Sequence, residues 1–121
     1  MIYASTSIAL ATLETLVHLD KGSSTIRNAF LVKISMPATL WHRREIVDAS
    51  DLPPTWLAEP AGVTTIDYGD AWLKRMSSCV LLVPSVIVPE EYNALINPAH
   101  PRASSISATV LRQFIYDPRL H

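Results

Sequence analysis

The chain has 121 residues, 49% apolar and 17% charged, with ten Lys and Arg set against eleven Asp and Glu. That length carries one hydrophobic core with little room for a second, so a single domain over 1–121 is expected, and the apolar share excludes a disordered chain. The balanced charge excludes the basic excess that tracks nucleic-acid phosphates, so no direct nucleic-acid partner is expected.

Met1 to Ala4 is apolar enough for a buried strand. The chain opens inside that strand with no preceding turn or cap, which reads as a missing beginning. Ser5, Thr6 and Ser7 supply N-cap oxygens, and Leu10, Leu13 and Val17 recur at helical spacing up to Leu19, where Asp20-Lys21-Gly22 gives the stop. Within "ALATLETLVHL" the single formal charge is Glu14, whose helical neighbours Leu10, Ala11, Val17 and His18 offer no cation beyond a protonated histidine. It is either a solvated flank residue or a carboxylate retained for chemistry.

"NAFLVKISM", 28–36, predicts a strand with Phe30, Val32 and Ile34 on one face and Leu31 and Lys33 on the other. "TLWHRREIV", 39–47, reads as a second extended segment, and Pro53 and Pro54 force a turn in "DLPPTW". Thr64 and Thr65 are candidate caps for a helix from Ile66 to Met76, in which Gly69 is a poor choice on propensity. "CVLLVPSVIVP", 79–89, is a strand signal whose continuous apolarity implies burial on both faces. "EEYNALINPAHP" reads as a mixed stretch ending in a rigid turn, and "QFIYDP" as a short strand. Strands and helices mix without a regular βαβ repeat, so the fold class expected is α+β.

The lone Cys79 closes no intrachain disulfide, and His18, His42, His100 and His121 are scattered, so no metal site is expected and a reducing, cytoplasmic compartment fits. The longest apolar runs fall far short of a membrane span, so no membrane association is expected. No short motif for a phosphate cradle, a metallohydrolase or a serine hydrolase is present. Four further positions have two readings each. Tyr3 is a core phenol or a cleft wall; Ser85 is tied to neighbouring backbone or exposed to a ligand; Asn97 and His100, in the stiff "NPAHP" turn, brace that turn or reach a ligand. Trp41, Trp56 and Trp72 read as core or clamping mass.

Taken together, "YASTSIALATLETLVHL", "LPPTW", "GDAWL", "LLVPSVIVPEEYNALINPAHP" and "FIYDPRL" resemble, in family order from Tyr3 to Leu120, the RES domain, the toxin half of RES-Xre toxin-antitoxin systems. The resemblance implies an ADP-ribosyltransferase-like mixed sheet core with short flanking helices, N-terminally shortened. It also implies an enzyme that cleaves the nicotinamide-ribose bond of NAD by hydrolysis, phosphorolysis or ADP-ribosyl transfer. NAD is then a substrate, with no separate cofactor. Carried over by position, the catalytic tyrosine, glutamate and serine fall on Tyr3, Glu14 and Ser85, with Tyr3, Ser85, Asn97 and His100 as NAD-binding positions. The implied protein partner is an Xre-type antitoxin, and a homodimer is an allowed assembly. The resemblance has one departure of weight. Family members carry a Gly-Arg-Trp-Asn motif shortly before the tyrosine, with an active-site arginine, and this sequence has none; Arg27, Arg43 and Arg44 are the substitutes considered, with no spacing that selects one. The alternative reading is therefore a catalytically inactive RES relative that serves as an antitoxin-binding or assembly module.

Overall fold

The computed structural model describes residues 1–18, 28–52 and 63–120, with side chains from residue 67 onward in the last segment. Two sheets organise it. The larger has strand order β1-β5-β4-β3, built from β1 (Ile2–Ser5), β3 (Glu45–Ile46), β4 (Val80–Pro84) and β5 (Tyr92–Ile96). Neighbours β1/β5 and β4/β5 are antiparallel, and β3 joins β4 in parallel. The smaller sheet is an antiparallel ribbon of β2 (Ala29–Ser35) and β6 (Ser107–Phe114). Helices α1 (Ile8–His18), α2 (Ala38–His42) and α3 (Val63–Arg75) complete an α+β architecture.

Strand β4 is the keel. All five of its residues are buried, and its pleat sends alternate side chains into two different clusters. Leu81 and Val83 join Val47, Leu52, Trp72 and Leu95 on one face, with Tyr68 and Leu73 of α3 packed against them. Val80 and Leu82 join Leu40, Cys79, Ala94 and Ile96 on the other, against Ile34, Met36 and Trp41. Two-sided burial accounts for the apolar residues of β4, as expected, but the strand ends at Pro84, and 85–89, read as its continuation, lie in the loop to β5. Burial also pushes the Cys79 thiol up from its ordinary pKa.

Helix α1 begins where the serines predict: the Ser7 hydroxyl accepts from the Leu10 amide at 3.1 Å and Leu10 is buried. Ser5 belongs to β1 instead of the cap, and the proposed stop at residues 20–22 lies outside the described residues, as do Pro53, Pro54 and Trp56. Helix α3 starts before the expected caps, so Thr64 and Thr65 lie inside it. Its end is closed by Met76 in the left-handed region (φ 56°) and by Asn97, whose amide donates to the Leu73 carbonyl at 3.2 Å.

Several expectations are corrected. Strand β1 is not buried: Ile2 is 44% exposed and Tyr3 70%, because β1 lies at the sheet edge. The register of β2 shifts between Leu31 and Val32, and this bulge breaks the expected alternation, leaving Phe30 and Val32 exposed while Leu31 and Ile34 are half-buried. Thr39 to His42 form α2 instead of a strand. The Pro37 carbonyl accepts from the Leu40 and Trp41 amides, and burial of Leu40 under the sheet favours the helical turn. Only Glu45–Ile46 of that segment is strand. The stretch read as a polar-apolar mix contains β5, a central strand, and the last strand ends at Phe114, before the Ile115 and Tyr116 assigned to it.

A polar chain at one end of the sheet ties α3 to β3. Trp72 Nε1 donates to Ser78 Oγ at 2.9 Å, and Ser78 in turn donates to the Glu45 carboxylate, which also accepts from Ser77 and forms a 2.9 Å ion pair with Arg75. Burial works to raise the Glu45 pKa, but the Ser77, Ser78 and Arg75 donors outweigh it and hold the carboxyl at about 2, below its ordinary 4.5.

Two outcomes follow. The Glu45 contribution is fully present above its unfolded value of 4.5 and is lost as pH falls toward about 2; in denaturant titrations between those values, Glu45→Gln should flatten the acid loss of stability relative to the parent. A Cβ added at Gly69 would meet the flexible Met1 Cε at 3.4 Å and Leu95 Cδ1 at 3.8 Å, which is contact without a clash. Gly69→Ala should therefore raise unfolding stability by about 0.5–1 kcal/mol through helix propensity.

Candidate active site

At the other end of the sheet, the hairpin loop after β4 meets α1. Ser85 is fully buried, and its hydroxyl accepts from the Ile87 and Val88 amides at 3.1 Å each. Its proton is thereby left to donate to Glu14 Oε1, at 2.7 Å. The same oxygen accepts from Asn93 Nδ2 on β5, also at 2.7 Å. Asn93 is held from its far side by Ser5 of β1, whose hydroxyl donates to Oδ1 at 2.7 Å. Side chains from the β4–β5 loop and β5 thus meet on one half-buried carboxylate of α1, with Ser5 of β1 linked to it through Asn93. Among the described residues both donors reach Oε1 and none is bonded to Oε2.

Helical geometry explains the placement. At about 100° per residue, Glu14 lies about 40° from buried Leu10 on one side and about 60° from Ala11 on the other. Ala11 belongs, with Ile8, Thr12 and Thr15, to the stripe of α1 that lines a cleft of about 730 Å³ between α1, β1 and the β2–β6 ribbon. Glu14 therefore flanks the cleft at the seam between core and opening. It does not itself line it.

Tyr3 and Ser5 do line the cleft, and because they are two apart on β1 they share a face. Tyr3 stands opposite Leu95 and Ser5 opposite Asn93, so the Tyr3 backbone lies about 7 Å along the strand from that of Ser5, and the phenol has no hydrogen bond to the Glu14 network among the described residues. Phe30, Trp41 and Tyr116 add aromatic surface. Lys33 is the one formally charged side chain among the described lining residues, and no ion pair engages it there.

The structure brings Glu14 and Ser85 into contact and leaves Asn97 and His100 apart from them. Asn97 lies four residues beyond Asn93 on β5, about 13 Å along the strand. Its side chain is spent on the Leu73 carbonyl, Met76 Sδ and the Ala99 amide. His100 Nδ1 accepts from the Arg102 amide at the start of a 3-10 turn. Both therefore brace local structure, where the family resemblance implied NAD-binding positions. Ser85, expected to touch substrate, has all its hydrogen-bonding capacity filled from within. Of the substitute arginines, Arg27 lies outside the described residues. Arg43 is exposed, and Arg44 stacks on Trp41 at 4.5 Å and donates to its carbonyl; neither lines the cleft. The sequence reading missed Asn93 and the role of Ser5. The signal was present: a polar residue inside an otherwise buried apolar strand needs a partner. Among the described residues no three His, Cys, Asp or Glu side chains group to hold a metal, and no helix is long and apolar enough to cross a membrane.

Comparison with known proteins agrees with this architecture. The family model described as "RES domain" matches residues 1–117. A protein of Sphingobium sp. named Prs ADP-ribosylating toxin is 48% identical over 120 residues, covering 99% of this chain and 74% of that protein. A Toxin Res of Yersinia enterocolitica is 40% identical over 120 residues, covering 98% and 76% respectively, and one of Pseudomonas putida is 36% identical over 124 residues, covering 99% and 79%. With a family match over nearly the whole chain, and a half-buried glutamate pinned to the turn that follows its central strand, the protein belongs to the RES domain family.

Proposed function

We propose that this chain is a toxin-type enzyme that consumes NAD by cleaving the nicotinamide-ribose bond, with Glu14 as the catalytic carboxylate. The observation that carries the reading is the held carboxylate: Oε1 is locked by Ser85 and Asn93, no described residue donates to Oε2, and the group flanks a cleft walled by Tyr3. Breaking an N-glycosidic bond develops positive charge on the ribose. A carboxylate held in one place at the cleft's flank can stabilise that charge with little reorganisation, and the same group can align an incoming nucleophile.

The remaining roles follow from position. Tyr3, exposed on the cleft wall, offers an aromatic face to the nicotinamide ribose. Ser85 fixes the carboxylate and is not a substrate ligand. Lys33 supplies the positive charge for the pyrophosphate, a point charge where the resemblance implied an arginine fork. No metal or separate cofactor enters the scheme. Support for ADP-ribosyl chemistry comes from the Sphingobium relative, whose name states it for that protein. A toxin that depletes NAD acts where the dinucleotide is, in the cytoplasm, and a free buried Cys79 suits that compartment. It also needs restraint, and an Xre-type antitoxin covering the cleft fits the exposed apolar side chains at its mouth, Phe30, Val32 and Leu111. One observation favours a second reading: no arginine lines the cleft among the described residues, as expected of an inactive relative that retains only antitoxin binding.

Release of free nicotinamide from NAD decides between the two. The enzyme reading expects turnover that Glu14→Gln lowers by about 10²–10⁴-fold, and separating ribose-containing products with and without phosphate identifies the acceptor as water, phosphate or protein. Equal rates for parent and Glu14→Gln would remove Glu14 from the chemistry, and no turnover with antitoxin still bound would establish the inactive relative. Lys33→Ala should raise KM for NAD about tenfold while changing kcat little, as loss of one charge-assisted contact predicts.

A further inference from the structure

The polarity of the Glu14 network is fixed by its own chemistry. An ionised carboxylate only accepts, so the Asn93 amide must turn Nδ2 toward Glu14 and Oδ1 toward Ser5, and the Ser5 hydroxyl must then donate. The Ser85 hydroxyl, already accepting from two backbone amides, has only its proton left to offer. Both donors reach the same oxygen. From this we infer that Asn93, oriented by Ser5, is a positioning residue that determines which oxygen of Glu14 is presented to the reacting sugar. The inference rests on the reading of Glu14 as the catalytic carboxylate.

The physical need is clear. A glutamate has three rotatable side-chain bonds, and a carboxylate tied by Ser85 alone can still swing about that one bond. A second donor, arriving from a different strand, removes that freedom. Asn93 suits the task because its planar amide carries a donor and an acceptor at opposite ends, so β1, β5 and α1 become one hydrogen-bonded line. Ser5 lies at the cleft wall, which places the far end of that line where substrate arrives. The titratable groups on the surrounding elements are His18 one turn along α1, Tyr3 on β1, Glu90 and Glu91 in the loop before β5, and Tyr92 on β5, whose hydroxyl donates to Asp48 at 2.6 Å. None is hydrogen-bonded or ion-paired to Glu14 among the described residues.

The test combines steady-state nicotinamide release across pH with NMR of the Asn93 side-chain amide. Asn93→Ala should lower kcat by about 10–100-fold with KM within about threefold. Asn93→Asp sets a second carboxylate against Glu14; the pair then shares a proton, and the acid limb of the rate profile should move up by about one pH unit or more. Ser5→Ala should reproduce part of the kcat loss, and Ser5→Thr, which keeps the hydroxyl, should recover at least half of it. In the parent, one Asn93 amide proton should resonate downfield, and Glu14→Gln and Ser5→Ala should each move it. A purely structural role would leave the rate profile of Asn93→Asp superimposed on that of the parent and would change thermal midpoint alone; that result overturns the inference. If the parent releases no nicotinamide, the NAD reading fails on that arm, and the amide resonance decides the positioning separately: no response to Ser5→Ala overturns it.

Discussion

One carboxylate oxygen holds this molecule's working end together. Glu14 Oε1 accepts from Ser85 and Asn93, and through Asn93 and Ser5 it links α1 to the central hairpin and to the edge strand β1. Hydrogen bonds to a charged acceptor contribute about 1.5–3 kcal/mol each, enough to offset much of the several kcal/mol that partial burial of a carboxylate costs. The balance holds only while both donors are in place, so Ser85 and Asn93 matter as much as the acid they serve. Two backbone amides that fix Ser85 extend that dependence into the loop itself.

The sheet separates two polar systems that have different work. Near the start of β4 lies the chain from Trp72 through Ser78 to Glu45 and Arg75, with Asn97 closing α3 beside it. It is saturated and structural. Near the end of β4 lies the Glu14 network, in which both donors among the described residues reach Oε1, with a cleft alongside. Between them β4 is buried on both faces, a rigid spacer that keeps the two ends from exchanging partners. The two polar systems thus occupy opposite ends of the same strands.

Membership of the RES family says which fold to expect, and the site says what that fold can do. Among the described residues the cleft has aromatic walls, several hydroxyls and one lysine, Lys33. The ribbon of β2 and β6 leaves Phe30 and Leu111 exposed on the cleft wall and Val110 exposed outside it.

The sequence by itself determined the elements whose cause is local. Ser7 capping α1, the two-sided burial of β4, the helix around Trp72 and the α+β class all follow from spacing and composition. Family order pointed to Tyr3, Glu14 and Ser85, but it could not say that Glu14 and Ser85 touch while Tyr3 stands apart, nor that Ser85 serves the carboxylate. Those depend on contacts between residues 71 and 79 positions apart in the chain. The same reason hid β5: Asn93 weakens the strand signal, and only its bonds to Glu14 and Ser5, made in three dimensions, explain why an amide belongs there. Asn97 and His100 show the converse: the end of α3 and the 3-10 turn occupy their side chains, so they bond locally and apart from Glu14. Local periodicity fixes elements; the pairing of distant polar groups, which no periodicity encodes, decided the site.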